Sequence, residues 1–232
     1  MKLGIMQPYF FPYIGYYQLI AAVDLFIVYD NIKYTKKGWI NRNRMLQNGS
    51  DSVFSLPLKA GSDALHIDQR ELATEFKRGK LLGQFEGAYR RAPFFKQVFP
   101  LLEEIIKFDD SNLFSFLHHS LSKTCAHLGI GTKLMKSSDA AVDADLKAQD
   151  KVIALCQAVG ADTYINAIGG VELYDRAEFK TQGIDLAFLR ANSFEYAQFD
   201  SEFVPWLSIV DVLMFNDSEK ISAAIHTGYE LV

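Results

Sequence analysis

The first residues that could do chemistry lie in a tyrosine-rich turn, Gln7–Tyr16, which follows a short apolar segment. Gly15 stands at a predicted helix start, where backbone N–H groups and the helix dipole favour a bound phosphate. We predict that Gln7 and Gly15 bind a ligand and that Tyr13 and Tyr16, as catalytic residues, orient its reacting group. The alternative is that these aromatic rings only pack the turn.

The second candidate group is a basic segment, residues 30–44, with a tryptophan in its middle. Arginine can grip a phosphate in a fork, and tryptophan can stack on a base or a sugar face. A binding site for a phosphate or a sugar nucleotide and a solvated basic loop both remain open as interpretations. Under the first, Asp30 acts as a general base or binds a hydroxyl. The residues predicted to bind the ligand are Lys37, Trp39, Asn41, Arg42 and Arg44.

The third candidate group is a glycine turn near residue 170. Gly169 and Gly170 form a pair that opens a predicted helix, and such a turn can cradle an anion. We predict that both glycines and the nearby Tyr174 contact the ligand. The signal is weak by itself, because Gly-Gly is also ordinary turn punctuation.

Motifs of several enzyme classes are absent from the sequence. The five histidines show no metal-ligand spacing, and we predict no metal site. Cys125 and Cys156 lie in apolar helical contexts, typical of buried thiols in a reducing compartment. No Gly-x-Ser-x-Gly elbow, Walker loop or Gly-x-Gly-x-x-Gly occurs. Hydrolase, P-loop ATPase and NAD-dehydrogenase functions are therefore disfavoured.

The elements that must position these groups begin with a βαβ unit. Residues 3–7 and 25–29 are typical of buried strands, and residues 15–23 between them have helix periodicity. Such units form parallel sheets, which bind ligands at the carboxyl ends of their strands. Further strands are predicted at 53–58, 132–135, 163–165 and 184–189, and the strand at 184–189 is predicted to be the last one. Further helices are predicted at 146–159 and 205–216.

The fold prediction is a Rossmann-like parallel α/β sheet with a helical insertion near residues 71–128. It forms a single domain over residues 1–232, and a chain of this length can bury a sizeable core. The apolar stretch 3–29 contains two prolines and several polar residues, so we expect core rather than a membrane span or a signal peptide. We therefore expect a cytoplasmic protein that does not insert into membranes.

Charge narrows the partners further. The net charge is −4, so no overall basic field exists to hold a nucleic acid. The expected partner is a small sugar nucleotide or another phosphate-bearing ligand. The oligomeric state stays open, a homo-oligomer included.

The tyrosine-rich turn resembles a known signature. Pro-Tyr-Ile-Gly-Tyr at residues 12–16 is similar to the Pro-x-His-x-Gly-His of nucleotidylyltransferases and pantothenate synthetases. Those enzymes use the two histidines to stabilise a phosphate transition state. Tyr13 and Tyr16 replace them here, and tyrosine donates a hydrogen bond but carries no positive charge at neutral pH. This departure argues against adenylyl transfer.

Over nearly its whole length the chain resembles the WbqC-like protein family. The segments that carry the resemblance are MQPYFFPYIGYYQLI (6–20), DLFIVYD (24–30), KKGWINRNR (36–44), AYRRAPFF (88–95), SSD (137–139), GADTYI (160–165), the Gly169-Gly170 turn and FVPWLSIVDVLMFN (203–216). One departure is the Asn-Ala-Ile at 166–168, where the family commonly has Ser-Gly. The resemblance implies a role in O-antigen, or lipopolysaccharide, biosynthesis, where attachment of glycine or another acyl group to an amino sugar has been proposed.

These observations lead to two main functional hypotheses. In the first, the chain is a transferase or ligase that modifies a nucleotide-linked amino sugar by acyl or glycyl transfer. Amide formation would require an activated acyl donor or ATP with Mg²⁺, and the cofactor is otherwise unknown. In the second, the chain is a non-catalytic nucleotide or sugar-nucleotide binding protein that kept the fold and lost the two histidines. A scaffold in a polysaccharide complex is a third hypothesis.

Overall fold

The protein folds around a central β-sheet with an additional hairpin, as a computed structural model of residues 1–143, 145–200 and 202–232 describes. The strands are β1 (Lys2–Met6), β2 (Leu25–Val28), β3 (Arg42–Gln47), β4 (Ser50–Ser55), β5 (Lys133–Lys136), β6 (Thr163–Ala167), β7 (Asp185–Ala191) and β8 (Tyr229–Leu231). The helices are α1 (Ile14–Ala21), α2 (Arg78–Tyr89), α3 (Phe95–Ile106), α4 (Leu113–His127), α5 (Ala148–Val159), α6 (Arg176–Thr181), α7 (Ile209–Phe215) and α8 (Ser218–Thr227). Short 3₁₀ turns occupy Ile67–Gln69, Ser137–Asp139 and Ile168–Leu173.

The central sheet has the order β5-β2-β1-β6-β7-β8 within the described residues. All of its neighbours pair in parallel except β8, which runs antiparallel to β7. From β1 the chain first builds outward through β2 and β5, and then crosses to the other side to add β6, β7 and β8. This is the doubly wound order of nucleotide-binding folds. The prediction of a Rossmann-like parallel sheet is therefore confirmed.

Both faces of the sheet are buried, which explains why the inner strand β2 is continuously apolar. Along β2, Phe26 and Val28 join the core cluster that includes α1, α4 and α8. Their neighbours Leu25 and Ile27 join the cluster that includes α5 and α6. Alternate side chains of one strand thus point to opposite helical layers.

The predicted helical insertion contains α2, α3 and α4. Its helices begin at Arg78 rather than at residue 71, because Glu71 and Leu72 form isolated bridges to Asn112 and Leu58, and residues 74–75 form a turn. Asn112 caps α4 by accepting from the Ser115 backbone N–H at 3.0 Å. The insertion packs into the same core as α1.

Two boundaries differ from the prediction for reasons of turn and cap chemistry. Strand β4 begins at Ser50 rather than at residue 53, because it pairs with β3 through a two-residue turn at Asn48 (φ 52°) and Gly49 (φ 77°). Positive φ at both residues is what a type I′ hairpin turn requires. Helix α7 begins at Ile209 rather than at residue 205, because the Ser208 hydroxyl caps it by accepting from the Val210 N–H.

Two further observations concern the buried and apolar parts of the chain. Cys125 and Cys156 are buried, as predicted. Across the described ranges, no helix combines the length and the apolar composition that crossing a bilayer requires.

Candidate functional site

A cavity of about 490 Å³ opens at the carboxyl end of the sheet, and we call it the main cavity. Met6 at the end of β1, Ala167 at the end of β6 and Ala191 at the end of β7 all line it. It therefore spans the point between β1 and β6 where the strand order reverses. Parallel α/β folds bind their ligands in the crevice at this point. Among the described residues, none between 71 and 128 lines the cavity.

The N-terminus of α1 forms one wall of the main cavity, through Tyr13 and Gly15. Tyr13 is the N-cap residue, its backbone is extended, and its side chain makes no capping hydrogen bond. Backbone N–H groups of a first helical turn carry partial positive charge and bind anions. A Cβ atom on Gly15 would lie 2.8 Å from Cε1 of Tyr13, so only glycine fits without moving that ring.

The two tyrosines that replace the signature histidines both line the main cavity. Tyr16 is buried, and its hydroxyl donates to the backbone carbonyl oxygen of Gln7 at 2.8 Å. Burial raises the pKa of the Tyr13 hydroxyl and raises the pKa of the Tyr16 hydroxyl well above its usual range. Both hydroxyls are therefore neutral at pH 7. They can donate hydrogen bonds but cannot supply the positive charge of a histidine pair.

Two exposed tryptophans stand at the main cavity, Trp39 at 41% exposed and Trp206 at 60%. The Arg42 and Arg44 guanidinium groups lie 5.8 Å and 5.6 Å from the centre of the Trp39 ring. Trp206 has a left-handed backbone with φ 62°, which is rare for a bulky residue and is concentrated at functional sites. Exposed indole rings beside a cavity offer flat faces for stacking on a base or a sugar.

Two arginines bring positive charge to the main cavity, Arg44 from β3 and Arg190 from β7. Arg44 pairs with Asp51 at 3.3 Å, and its Nη2 donates to the carbonyl oxygen of Trp206 at 3.1 Å. Arg190 pairs with Glu230 at 2.8 Å. Both pairs are partly exposed, so an incoming phosphate can compete for the guanidinium groups at little cost.

Comparison of the whole sequence with known protein families shows which family the chain belongs to. The profile of the WbqC-like protein family matches residues 7–223. The chain belongs to the WbqC-like protein family. It is also similar to the uncharacterised protein Rv1507c of Mycobacterium tuberculosis, with 30% identity over 220 residues, which is 93% of each chain. No solved structure matches.

The remaining predicted ligands of the basic segment lie outside the main cavity of this WbqC-like site. Arg42 donates to the backbone carbonyl oxygens of Gly38 at 3.1 Å and Lys37 at 2.8 Å, so it holds the loop that carries Trp39. Asn41 donates to the Leu56 carbonyl oxygen at 2.8 Å. The Lys37 side chain is exposed and does not line the cavity.

Asn43 of the basic segment also lines the WbqC-like site, and two further lining residues, Arg190 and Trp206, escaped the sequence analysis as ligand contacts. Asn43 is buried and donates to the carbonyl oxygens of Phe10 at 3.1 Å and Phe11 at 2.9 Å. Arg190 directly follows the predicted strand 184–189, so the rule that ligands bind at strand ends could have found it. Trp206 lies in a segment that carries the family resemblance, but no local pattern links it to the N-terminal turn.

Asp30 lies at the end of β2, in a separate polar cluster that does not line the main cavity. It is 4% exposed and accepts from the Ser137 hydroxyl at 2.6 Å, the Ser138 N–H at 3.0 Å and the Ser138 hydroxyl. Beside it, the Lys151 ammonium donates to Oδ1 of Asn31 at 3.1 Å. The cluster joins the end of β2 to the turn after β5. Any part that Asp30 plays in the reaction remains a proposal.

The Asp30 cluster predicts a pH-dependent contribution to stability. Burial raises the pKa of Asp30, but the hydrogen bonds from Ser137 and Ser138 outweigh it, and the net pKa is lowered. A lowered folded-state pKa stabilises the protein above the unfolded-state value of about 3.9 and ceases to do so as the pH falls through the folded-state pKa. We expect Asp30→Asn to have a lower urea midpoint than wild type at pH 7. At pH 3 the difference between the two midpoints should be smaller. A gap of equal size at both pH values would contradict this account.

The late glycine turn of the WbqC-like chain is split between two surroundings. Ile168 lines the main cavity, whereas Tyr174 packs against Tyr164 on the opposite face of the sheet, with ring centres 5.6 Å apart. Gly170 is buried, and a Cβ atom there would lie 2.5 Å from Nδ2 of Asn166. Residues 168–173 form a 3₁₀ turn, and the next α-helix begins at Arg176. The glycine pair thus does not open an α-helix directly. Gly169 and Gly170 do not line the cavity, and contact with the ligand remains a proposal for both.

Proposed function

We propose that this chain modifies a nucleotide-linked amino sugar in surface-polysaccharide biosynthesis, by transferring an acyl or glycyl group to the sugar amine. The observation that carries the proposal is the main cavity. It lies at the switch point of a doubly wound sheet and combines a helix N-terminus, two exposed tryptophans and two arginines. Membership of the WbqC-like family supports the link to polysaccharides. The two buried cysteine thiols support a cytoplasmic location.

Each part of a sugar nucleotide has a counterpart in the main cavity. The phosphates bind at the N-terminus of α1, with Arg44 and Arg190 supplying positive charge. The base stacks on one of the two exposed tryptophans, Trp39 and Trp206, and the sugar stacks on the other. Tyr13 donates its hydroxyl proton in a hydrogen bond that orients the reacting group. Among the described lining residues none is a carboxylate, so a Mg²⁺ ion here would take its oxygen ligands from the phosphates.

One observation favours the non-catalytic alternative. The Tyr16 hydroxyl is already used in a hydrogen bond to the Gln7 carbonyl oxygen, and no histidine is found among the described lining residues. A protein of this kind would bind a sugar nucleotide without turnover. The two functions differ in whether product forms when an acyl donor is added.

The test is the affinity for UDP- and dTDP-linked amino sugars, measured by calorimetry on variants of the two exposed tryptophans. We expect Trp39→Ala and Trp206→Ala each to weaken binding about fivefold or more, because stacking of an aromatic side chain on a base contributes about 1–3 kcal/mol. Leu173→Ala is the control, since Leu173 is 66% exposed but does not line the main cavity.

Two outcomes decide between the functions. If none of the sugar nucleotides binds, or if the tryptophan variants bind as the Leu173→Ala control does, the proposed site is wrong. If binding occurs but no amide forms with acyl thioesters, or with glycine and ATP·Mg²⁺, the non-catalytic alternative replaces the enzyme.

A further inference from the structure

A second cavity, of about 160 Å³, lies beyond the carboxyl end of β7, and we call it the small cavity. It shares Tyr13, Ala191 and Trp206 with the main cavity. The rings of Tyr13 and Trp206 lie 5.2 Å apart, and they form the common wall. The two cavities are therefore adjoining compartments of one site.

The lining of the small cavity is uncharged in the part of the chain that the structure describes. Its walls include the partly buried ring of Phe203 and the buried side chains of Leu207 and Val212. Tyr196 also lines it, but the tyrosine hydroxyl donates to Oδ2 of Asp211 at 2.7 Å. Apolar walls of this kind favour an apolar ligand group and disfavour a phosphate.

Asn192 and Ser193, both of which are exposed, add an amide and an aliphatic hydroxyl to the lining of the small cavity. A ligand can therefore place its apolar end against the walls and keep a carbonyl group beside these two side chains. The volume is well below the roughly 300 Å³ at which pockets for whole drug-sized ligands begin. It suits a short chain of a few carbon atoms rather than a nucleotide.

We infer that the small cavity binds a short aliphatic acyl group of the second substrate while the sugar nucleotide occupies the main cavity. The identity of this group as the acyl donor's rests on the proposed function. Because the two cavities share Tyr13 and Trp206, they lie side by side, and a substrate in one is held next to a substrate in the other. Holding two reactants together is how an enzyme turns a bimolecular step into a unimolecular one.

The chain offers a direct test, because it contains two tryptophans. Trp206 lines both cavities, whereas Trp39 lines the main cavity alone. In Trp39→Phe the fluorescence reports on Trp206, and in Trp206→Phe it reports on Trp39. The probe is S-butyryl-N-acetylcysteamine, a short acyl thioester. We expect it to change the emission of Trp206 and not that of Trp39, whereas UDP-N-acetylglucosamine changes both.

A blocking variant makes the test specific. Ser193→Phe places a ring at the exposed edge of the small cavity and should weaken binding of the butyryl probe about tenfold or more. Ala197→Phe is the matched control, since Ala197 is exposed on the same segment and lines neither cavity. Thermal unfolding of both variants checks that they fold.

The outcomes separate this inference from the proposed function. A butyryl signal that Ser193→Phe leaves unchanged, or that reports from Trp39, overturns the acyl site. The same holds if no butyryl signal occurs while UDP-N-acetylglucosamine binds normally. A butyryl signal without binding of any sugar nucleotide keeps the acyl site and overturns the proposed function.

Discussion

Replacing Asp211 by alanine is expected to lower the free energy of unfolding by about 3 kcal/mol or more. Asp211 is fully buried in α7 and accepts three hydrogen bonds. They come from the Tyr89 hydroxyl at 2.9 Å, the Tyr196 hydroxyl at 2.7 Å and the Gln198 amide at 2.6 Å. Alanine leaves these donors without their acceptor inside the protein, and an unsatisfied buried donor is costly.

Asp211 connects several parts of the fold, so the loss of its hydrogen bonds affects more than α7. Tyr89 ends α2 and its hydroxyl also accepts from the backbone N–H of Leu46 in β3, at 2.9 Å. Tyr196 and Gln198 belong to the segment between β7 and α7 that carries Trp206. One carboxylate therefore ties the helical insertion and the hairpin to the segment that forms the wall of both cavities.

Urea unfolding of Asp211→Ala, with Asp109→Ala as the control, measures this effect. Asp109 is exposed, so its replacement should change the midpoint little. Asp211→Asn keeps the shape of the side chain and one acceptor oxygen. Its urea midpoint should therefore lie between those of wild type and Asp211→Ala. The account fails if Asp211→Ala unfolds at the midpoint of Asp109→Ala.

The central sheet could be predicted because its signals are local. The strands β1 and β2 are apolar runs buried on both faces, and α1 between them has helix periodicity. Gly160, with φ 70°, ends α5 where the sequence predicted a helix end. Such patterns lie within a few residues of one another, so one sequence is enough to recognise them.

Other elements exist only through contacts between distant parts of the chain. The prediction that residues 184–189 form the last strand is wrong, because strand β8 follows at Tyr229–Leu231. Its three residues are partly or fully exposed and have no apolar pattern, and it forms because Leu231 and Glu230 pair with Leu189 and Arg190 of β7. Local propensity cannot reveal a strand whose identity depends on its neighbour.

The candidate site divides in the same way. Tyr13, Gly15 and Tyr16 follow one strand end, so their common location could be expected from spacing. Trp39 and Arg44 meet them because the hairpin folds back onto the turn, and the backbone N–H of Phe10 donates to the Ile40 carbonyl oxygen at 3.1 Å. The participation of Trp206 depends on the contact of its ring with Tyr13, a residue far away in the chain, and residue spacing does not encode such a contact.

Asn43 is expected to be the residue that links stability to binding. Its amide donates to the carbonyl oxygens of Phe10 and Phe11, and Phe11 has a left-handed backbone with φ 43°. A non-glycine residue in that region persists only where its surroundings hold it. The turn it belongs to leads into Tyr13 and the N-terminus of α1, so Asn43 positions one wall of the main cavity without belonging to the signature.

Asn43→Ala should therefore lower the free energy of unfolding by about 2–3 kcal/mol, because two buried carbonyl oxygens lose their donor. It should also weaken sugar-nucleotide binding in the folded fraction, since the turn can relax out of its strained conformation. Asn41→Ala is the matched control. Asn41 likewise donates to a backbone carbonyl oxygen, that of Leu56, but lies outside the cavity lining. Calorimetric titration below the unfolding transition should show weaker sugar-nucleotide binding for Asn43→Ala and not for Asn41→Ala. An equal loss of affinity in both variants would show that Asn43 has only a structural role.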